Sequence, residues 1–170
     1  MTAVSAQPIP CLILACGNPL REDDGIGPRL AEWAAEHWRS DPRIRVISRQ
    51  QWTPELAADI AAAQSVLFLD SSVECGPGTL KVHPVRPAAT PHGLNTHHSG
   101  ASEILSLARD LYLTLPRTAL LFTVGAASLG LHEGLSSTVQ AALPRAIDLL
   151  QTTVQDLLSA LPTPGQLHSA

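Results

Sequence analysis

Ile13-Leu-Ala-Cys-Gly-Asn-Pro-Leu-Arg-Glu-Asp-Asp-Gly-Ile-Gly27 decides the fold. The residues from Pro10 to Cys16 form a short, unbroken apolar run that stops at Gly17, the pattern of a strand buried on both faces. Past the glycine the apolar period changes. Ile26, Leu30, Trp33 and Ala34 recur at helical spacing, with Asp24 placed as a cap and Pro28 in the tolerant first turn, so a helix is predicted to about Trp38. Between strand and helix stand Glu22, Asp23 and Asp24. One acid at a helix start is favoured by the unpaired N–H groups and the dipole there, whereas three in a row repel one another and imply a cation.

Outward from this unit the pattern repeats. Ile44 to Ser48 reads as a second strand, and Thr53-Pro54-Glu55 offers a cap, a first-turn proline and an early acid for a helix over Leu56 to Ala63. Ser65-Val-Leu-Phe-Leu-Asp70 is another buried strand, and it ends on an acid. Cys75-Gly-Pro-Gly78 then turns the chain into Thr79 to Val85. So short a connection predicts an antiparallel hairpin with the later strand at the sheet edge. Residues 86 to 98, rich in Pro, His, Thr and Asn, form a long loop containing His97-His98. Ser99 to Tyr112 is predicted as a helix with Ile104, Leu105, Ala108 and Leu111 on one stripe, followed by a buried strand over Thr118 to Val124. Ser136-Ser137 cap a last helix that ends near Leu161 and is expected to bend at Pro144.

Strands separated by helices of this length predict an α/β three-layer sandwich: a mostly parallel, twisted sheet of about five strands, helices on both faces, and one antiparallel edge strand. Residues 1–161 are expected to make a single domain, with 162–170 a flexible tail. The chain has 170 residues, enough to bury a core without disulfides or a structural metal. Its odd trio of Cys11, Cys16 and Cys75 lacks a Cys-x-x-Cys pair, which fits reduced thiols. A net charge of −4 without a basic run, and only 4% aromatic residues, exclude both the phosphate-neutralising patch and the stacking platform of a nucleic-acid binder. With neither a leader-like start nor a spanning apolar run, the expected location is the cytoplasm, away from the membrane.

In parallel sheets ligands gather outside the carboxyl ends of the strands. The acids after the first strand and Asp70 after the third belong there, and the loop before His97 is long enough to return to the same rim, since about 11 residues span up to roughly 35 Å. Asp24, Asp70 and His97 together would make a mixed oxygen and nitrogen site for a borderline divalent ion such as nickel or zinc. Each has a plainer explanation: Asp24 as a helix cap, Asp70 as a strand-end cap, His97 and His98 as solvated loop residues. His132 beside Glu133 is a further candidate for the rim, and Trp52 is expected to be exposed toward a partner. His37, His83, His92 and His168 read as surface residues. A phosphate-binding turn is disfavoured, because Gly17 lacks the partners of a Gly-x-Gly-x-x-Gly turn and the acids repel phosphate. No Gly-x-Ser-x-Gly elbow occurs, Cys16 is inside a strand, and Ser71-Ser72 have no evident base.

Gly17-Asn18-x5-Asp24-Gly25-x-Gly27, then Val66-Leu-Phe-Leu-Asp70, then His97 six residues ahead of Glu103-Ile-Leu, resembles the hydrogenase maturation endopeptidases. Thr123-Val-Gly-Ala-Ala-Ser-Leu-Gly-Leu-His-Glu-Gly-Leu-Ser-Ser-Thr-Val139 is similar to that family's last strand and helix entry. The resemblance implies a sheet sandwiched between helices and a soluble protease. Such a protease removes the C-terminal extension from the large-subunit precursor of a nickel-iron hydrogenase once nickel is installed. It places the family's metal-contacting and catalytic positions on Asp24, Asp70 and His97, with His98 the neighbouring alternative. The nickel is supplied by the substrate, no resident cofactor is expected, and the chain is expected to be a monomer or weak oligomer. Many members carry Asp-Gly-Gly-Thr in the segment associated with substrate contact, where this chain has Arg49-Gln-Gln-Trp-Thr-Pro-Glu-Leu56, a departure that bears on the partner's identity. Two competing readings are a maturation chaperone that senses nickel insertion without cutting, and a nucleotide-binding α/β enzyme.

Overall fold

The computed structural model describes residues 8–89 and 99–161. Its elements run β1 (Ile9–Cys16), α1 (Ile26–His37), β2 (Ile44–Arg49), α2 (Leu56–Ala61), β3 (Ala63–Ser72), β4 (Leu80–Pro84), α3 (Ser99–Tyr112), β5 (Thr118–Gly125) and α4 (Ser137–Ser159). One five-stranded sheet in the order β2-β1-β3-β5-β4 forms the middle layer. Four strands are parallel, and β4 is antiparallel to β5.

Alternation along the central strands decides which helices cover which face. Cys11, Ile13 and Ala15 of β1, with Leu67 and Leu69 of β3 and Phe122 and Val124 of β5, pack under α1 and α4. The intervening Leu12, Leu14, Val66, Phe68 and Leu121 pack under α2 and α3. Because β1 and β3 are buried on both faces, neither position set needs polar residues, which is why the strands read as continuous apolar runs. Each fully buried Leu, Ile or Phe in these layers contributes about 1.5–3 kcal/mol. No helix among the described residues is long and apolar enough to cross a membrane.

Three expectations need correction. The antiparallel edge strand exists, but β4 is not the hairpin partner of β3: β5 lies between them, with Asp70 in register with Thr123 and Lys81 opposite the same Thr123. The 73–79 connection is long enough to step across one strand, a displacement of roughly 9–10 Å at ordinary strand spacing. Gly78 N donates to Gly125 O at 2.8 Å and Gly125 N to Thr79 O at 2.8 Å, closing that step. Leu111 does not belong to the buried stripe of α3 and is 61% exposed. Finally α2 is shorter than predicted, ending at Ala61, because the chain passes almost at once into β3 at Ala63.

The last helix keeps its predicted cap: Ser136 Oγ accepts from Val139 N at 3.3 Å. It continues through Pro144 to Ser159.

Candidate active site

The carboxyl ends of β1 and β3 lie side by side, with Ala15 in register with Leu69. Beyond Cys16 the chain makes its turn at Gly17, whose φ of +145° is open to glycine but strained for other residues. A Cβ there would fall 1.9 Å from the Asp24 carbonyl oxygen, so the turn can close onto the acidic segment only with glycine in place. Gly27, the second residue of α1, is needed for the same reason, since its Cβ would meet the carbonyls of Cys16 at 2.4 Å and Leu69 at 2.9 Å. The start of α1 is thereby pressed against the ends of both strands.

This geometry separates the three acids. Glu22–Gly25 form a short 3-10 turn, and α1 begins at Ile26 with no side chain capping it. Asp24 is therefore not the helix cap the spacing suggested. Its Oδ2 accepts from Asn18 N at 2.8 Å, and its Oδ1 accepts from the Ser71 hydroxyl at 3.2 Å. Asp23 is fully buried and turns toward the loop between β5 and α4. It accepts from Ala127 N at 2.8 Å, Ser128 N at 3.0 Å, Ser136 N at 2.7 Å and Ser136 Oγ at 2.8 Å. Burial alone would raise its pKa, but the bonds from Ser136, Ser128 and Ala127 outweigh that and hold the carboxyl below its ordinary value. Glu22, in the left-handed region at φ 45°, accepts from Gly130 N at 3.1 Å and from the Ser128 hydroxyl. Two of the three acids thus anchor the loop between β5 and α4 instead of surrounding a cation. Repulsion within the triplet is avoided because each carboxylate has its own set of donors.

Asp70 stands at the end of β3, two residues past Phe68 and so on the α2/α3 face of the sheet. It is half-buried, and Oδ1 accepts from Ser71 N at 2.8 Å. Burial pushes its pKa up to about 7; the Ser71 amide opposes this, the Asp24 charge adds to it, and a hydrogen bond from the Trp52 side chain opposes it. A carboxyl poised there exchanges its proton near neutral pH. None of the ion pairs among the described residues gives Asp24 or Asp70 an Arg or Lys partner. Among the described residues the rim accordingly carries two neighbouring carboxylates with spare oxygen lone pairs and no Arg or Lys ion-pair partner.

Cys16 lies beside them. Burial first, then the charges of Asp70 and Asp24, push its thiol up to about 12, and Sγ donates to Gln50 O at 3.5 Å. It stays protonated at neutral pH and is no nucleophile. The phosphate-cradle reading also fails on geometry, because the Asn18 amide that would face a phosphate is already occupied by Asp24 Oδ2.

His97 and His98 lie outside the described residues, as do His92 and His168. The helix that follows them, α3, starts at Ser99 and packs on the sheet face to which Asp70 belongs. His132 is tied to the acidic turn by its backbone, its carbonyl accepting from Glu22 N at 2.8 Å, while its side chain is exposed. Among the described residues no group of three or more His, Cys, Asp or Glu is arranged to hold a metal, so His132 does not complete a set with Asp24 and Asp70. Trp52 is not the exposed residue its surroundings suggested: it is half-buried, edge-on to Phe68 at 5.4 Å. Ser71 carries no nucleophile motif, and the sequence pattern passes it over. The available signal was its position after Asp70, which puts it on the α1 side of β3, where Asp24 arrives.

No protein-family model matches the chain. Against curated proteins it is 26% identical over 149 residues to the hydrogenase 2 maturation protease of Escherichia coli strain K12, covering 85% of this chain and 90% of that protein. Among solved structures it is similar to the E. coli hydrogenase maturating endopeptidase HybD, with a TM-score of 0.68 and 27% identity over 86% of this chain and 92% of that one. It is also similar to the hydrogenase 2 maturation peptidase of Thaumarchaeota archaeon SCGC_AB-539-E09, with a TM-score of 0.60 and 27% identity over 85% and 97% of the two chains. In sequence and in fold the chain is therefore similar to hydrogenase maturation endopeptidases.

Proposed function

We propose that this chain is an endopeptidase that removes the C-terminal extension of a nickel-iron hydrogenase large-subunit precursor after nickel insertion. Asp24, Asp70 and His97 engage the nickel that the precursor already holds. The observation that carries the reading is the pair of carboxylates at one strand-end rim, Asp24 and Asp70, which interact electrostatically and, among the described residues, have no Arg or Lys ion-pair partner. Such a pair is costly to assemble and favours the arrival of a positive ion. Similarity to hydrogenase maturation proteases supports the same substrate class.

Two oxygens and one imidazole suit a borderline ion such as nickel. A metal carried by the substrate can polarise the scissile carbonyl and activate water, so the chain needs no resident metal of its own. The chain's own residues present the acids at fixed positions. Asn18 N and the Ser71 hydroxyl hold Asp24, the Ser71 amide holds Asp70, and the protonated Cys16 thiol lies beside both without adding charge.

The test is incubation of nickel-loaded precursor with the wild-type chain and with Asp24→Asn, Asp70→Asn and His97→Gln. Wild type is expected to release the C-terminal fragment, and each variant to lose at least about 100-fold in rate, as removal of one transition-state-stabilising group does. A precursor left intact by wild-type protein, in a preparation that a characterised maturation protease does cut, would overturn the proteolytic reading.

A further inference from the structure

Trp52 lies in the connection between β2 and α2, and its backbone neighbourhood is fastened to the end of β1. Gly17 N donates to Arg49 O at 3.1 Å and Cys16 Sγ to Gln50 O at 3.5 Å. From there the indole turns inward. It meets Phe68 edge-on, with centroids 5.4 Å apart and planes at 87°. Phe68 and Asp70 alternate on the same face of β3, so a ring seated on Phe68 is beside the Asp70 carboxyl, and the Trp52 side chain acts to hold the Asp70 pKa down. The third contact is with α3. At Gly100, the second residue of that helix, a Cβ would come within 2.2 Å of Trp52 Cδ1 and 2.9 Å of Nε1. The ring occupies the space that any larger residue would need.

One side chain therefore packs on the strand that carries Asp70, beside that carboxyl, and against the first turn of the helix on that face. A large aromatic can do this because its apolar body packs while its N–H reaches a polar partner. We propose that Trp52 is a positioning residue of the active site: packed between Phe68 and Gly100, its indole N–H fixes the orientation of the Asp70 carboxylate and sets α3 against the end of β3. It rests on the proteolytic reading for its effect on rate, but not for its geometry. Gly100 is then required for lack of a side chain, since α3 can approach β3 this closely only if nothing stands between its backbone and the indole. A groove of about 350 Å³ lined by Trp52, Pro54, Gly100, Glu103, Ile104 and Leu107 adjoins the ring.

The proposal is tested in two arms. In wild-type protein, a nuclear Overhauser contact between the Trp52 indole Hε1 and the Asp70 Hβ protons is expected, and the Trp52 indole resonance is expected to move in Asp70→Asn while those of Trp33 and Trp38 stay in place. In the kinetic arm, Trp52→Phe keeps an aromatic ring on Phe68 but lacks the N–H. It is expected to lower kcat about tenfold, the effect of one lost orienting hydrogen bond, with KM unchanged. A purely structural role predicts no such split between kcat and KM once folding is intact. Absence of the contact in the wild type overturns the geometry whatever the enzyme does. A Trp52→Phe chain that cuts at the wild-type rate overturns the positioning role. Wild-type protein that shows the contact but leaves a competent precursor intact instead refutes the proteolytic reading and leaves the Trp52 geometry standing.

Discussion

The Ser71 hydroxyl donates to Asp24 Oδ1 at 3.2 Å, joining residues 47 positions apart in the chain. Ser71 is also the residue whose amide holds Asp70 Oδ1 at 2.8 Å. A single residue at the end of β3 thus contacts both carboxylates, one through its backbone and one through its side chain. Ser71→Ala leaves the amide in place and removes only the hydroxyl. We expect a stability loss of about 1 kcal/mol, the net worth of one hydrogen bond, measured by urea unfolding. Cleavage should fall by roughly tenfold if Asp24 then samples other rotamers. Unchanged cleavage would mean that Asn18 N alone suffices to hold Asp24.

Asp23 predicts a change in stability rather than in binding. Its four bonds reach three residues of the segment that leads into α4. Asn at this site would turn a donor group toward backbone amides that also donate, so Asp23→Asn is expected to cost about 1–3 kcal/mol. The folded pKa is depressed, so the stabilisation is present above the unfolded value and is lost as pH falls through that value toward the folded one. Comparing wild type with Asp23→Asn by thermal unfolding between pH 7 and pH 3 should show the two curves converging at the acid end. Parallel curves would contradict the assignment.

Asp70 carries the opposite sign. Its pKa rises from 3.8 to about 7 on folding, so between those values the folded chain keeps a proton that the unfolded chain has lost. Stability therefore falls as pH rises from about 4 to about 7 and does not recover above it. At 1.36 kcal/mol per pKa unit the full penalty is about 4 kcal/mol. Asp70→Asn removes it, and should raise the melting temperature at pH 8 by several degrees while changing it little at pH 4. A variant that is more stable and yet inactive is the expected signature of a site that trades stability for chemistry. A lower melting temperature at pH 8 would show that Asp70 is a structural residue.

Most of the fold was legible because its signals are local. The apolar runs of β1, β3 and β5, the glycine stop at Gly17 and the Ser136 cap each depend on a few neighbouring residues, and each appears where the pattern placed it. The pairing of β4 was not legible, because a short turn says how far the chain travels and not which strand has been inserted beside it. The acids show the same limit. Three adjacent carboxylates imply mutual repulsion only while their donors are unknown, and the donors of Asp23 and Glu22 come from residues 127 to 136, more than 100 positions away. Trp52 looked exposed because it sits among polar residues, yet its seat is made by Phe68 and Gly100 from two other elements. Asp24 and Asp70 could be placed at one rim because the carboxyl ends of neighbouring parallel strands must converge there.

The central claim is that the carboxylate pair acts on a substrate that brings its own nickel. Intact-mass spectrometry of the large-subunit precursor, nickel-loaded and nickel-free, after incubation with the metal-free chain tests it most directly. The account predicts loss of the C-terminal extension from the nickel-loaded precursor only. Cleavage of the nickel-free precursor at the same rate, or of neither form, would contradict it.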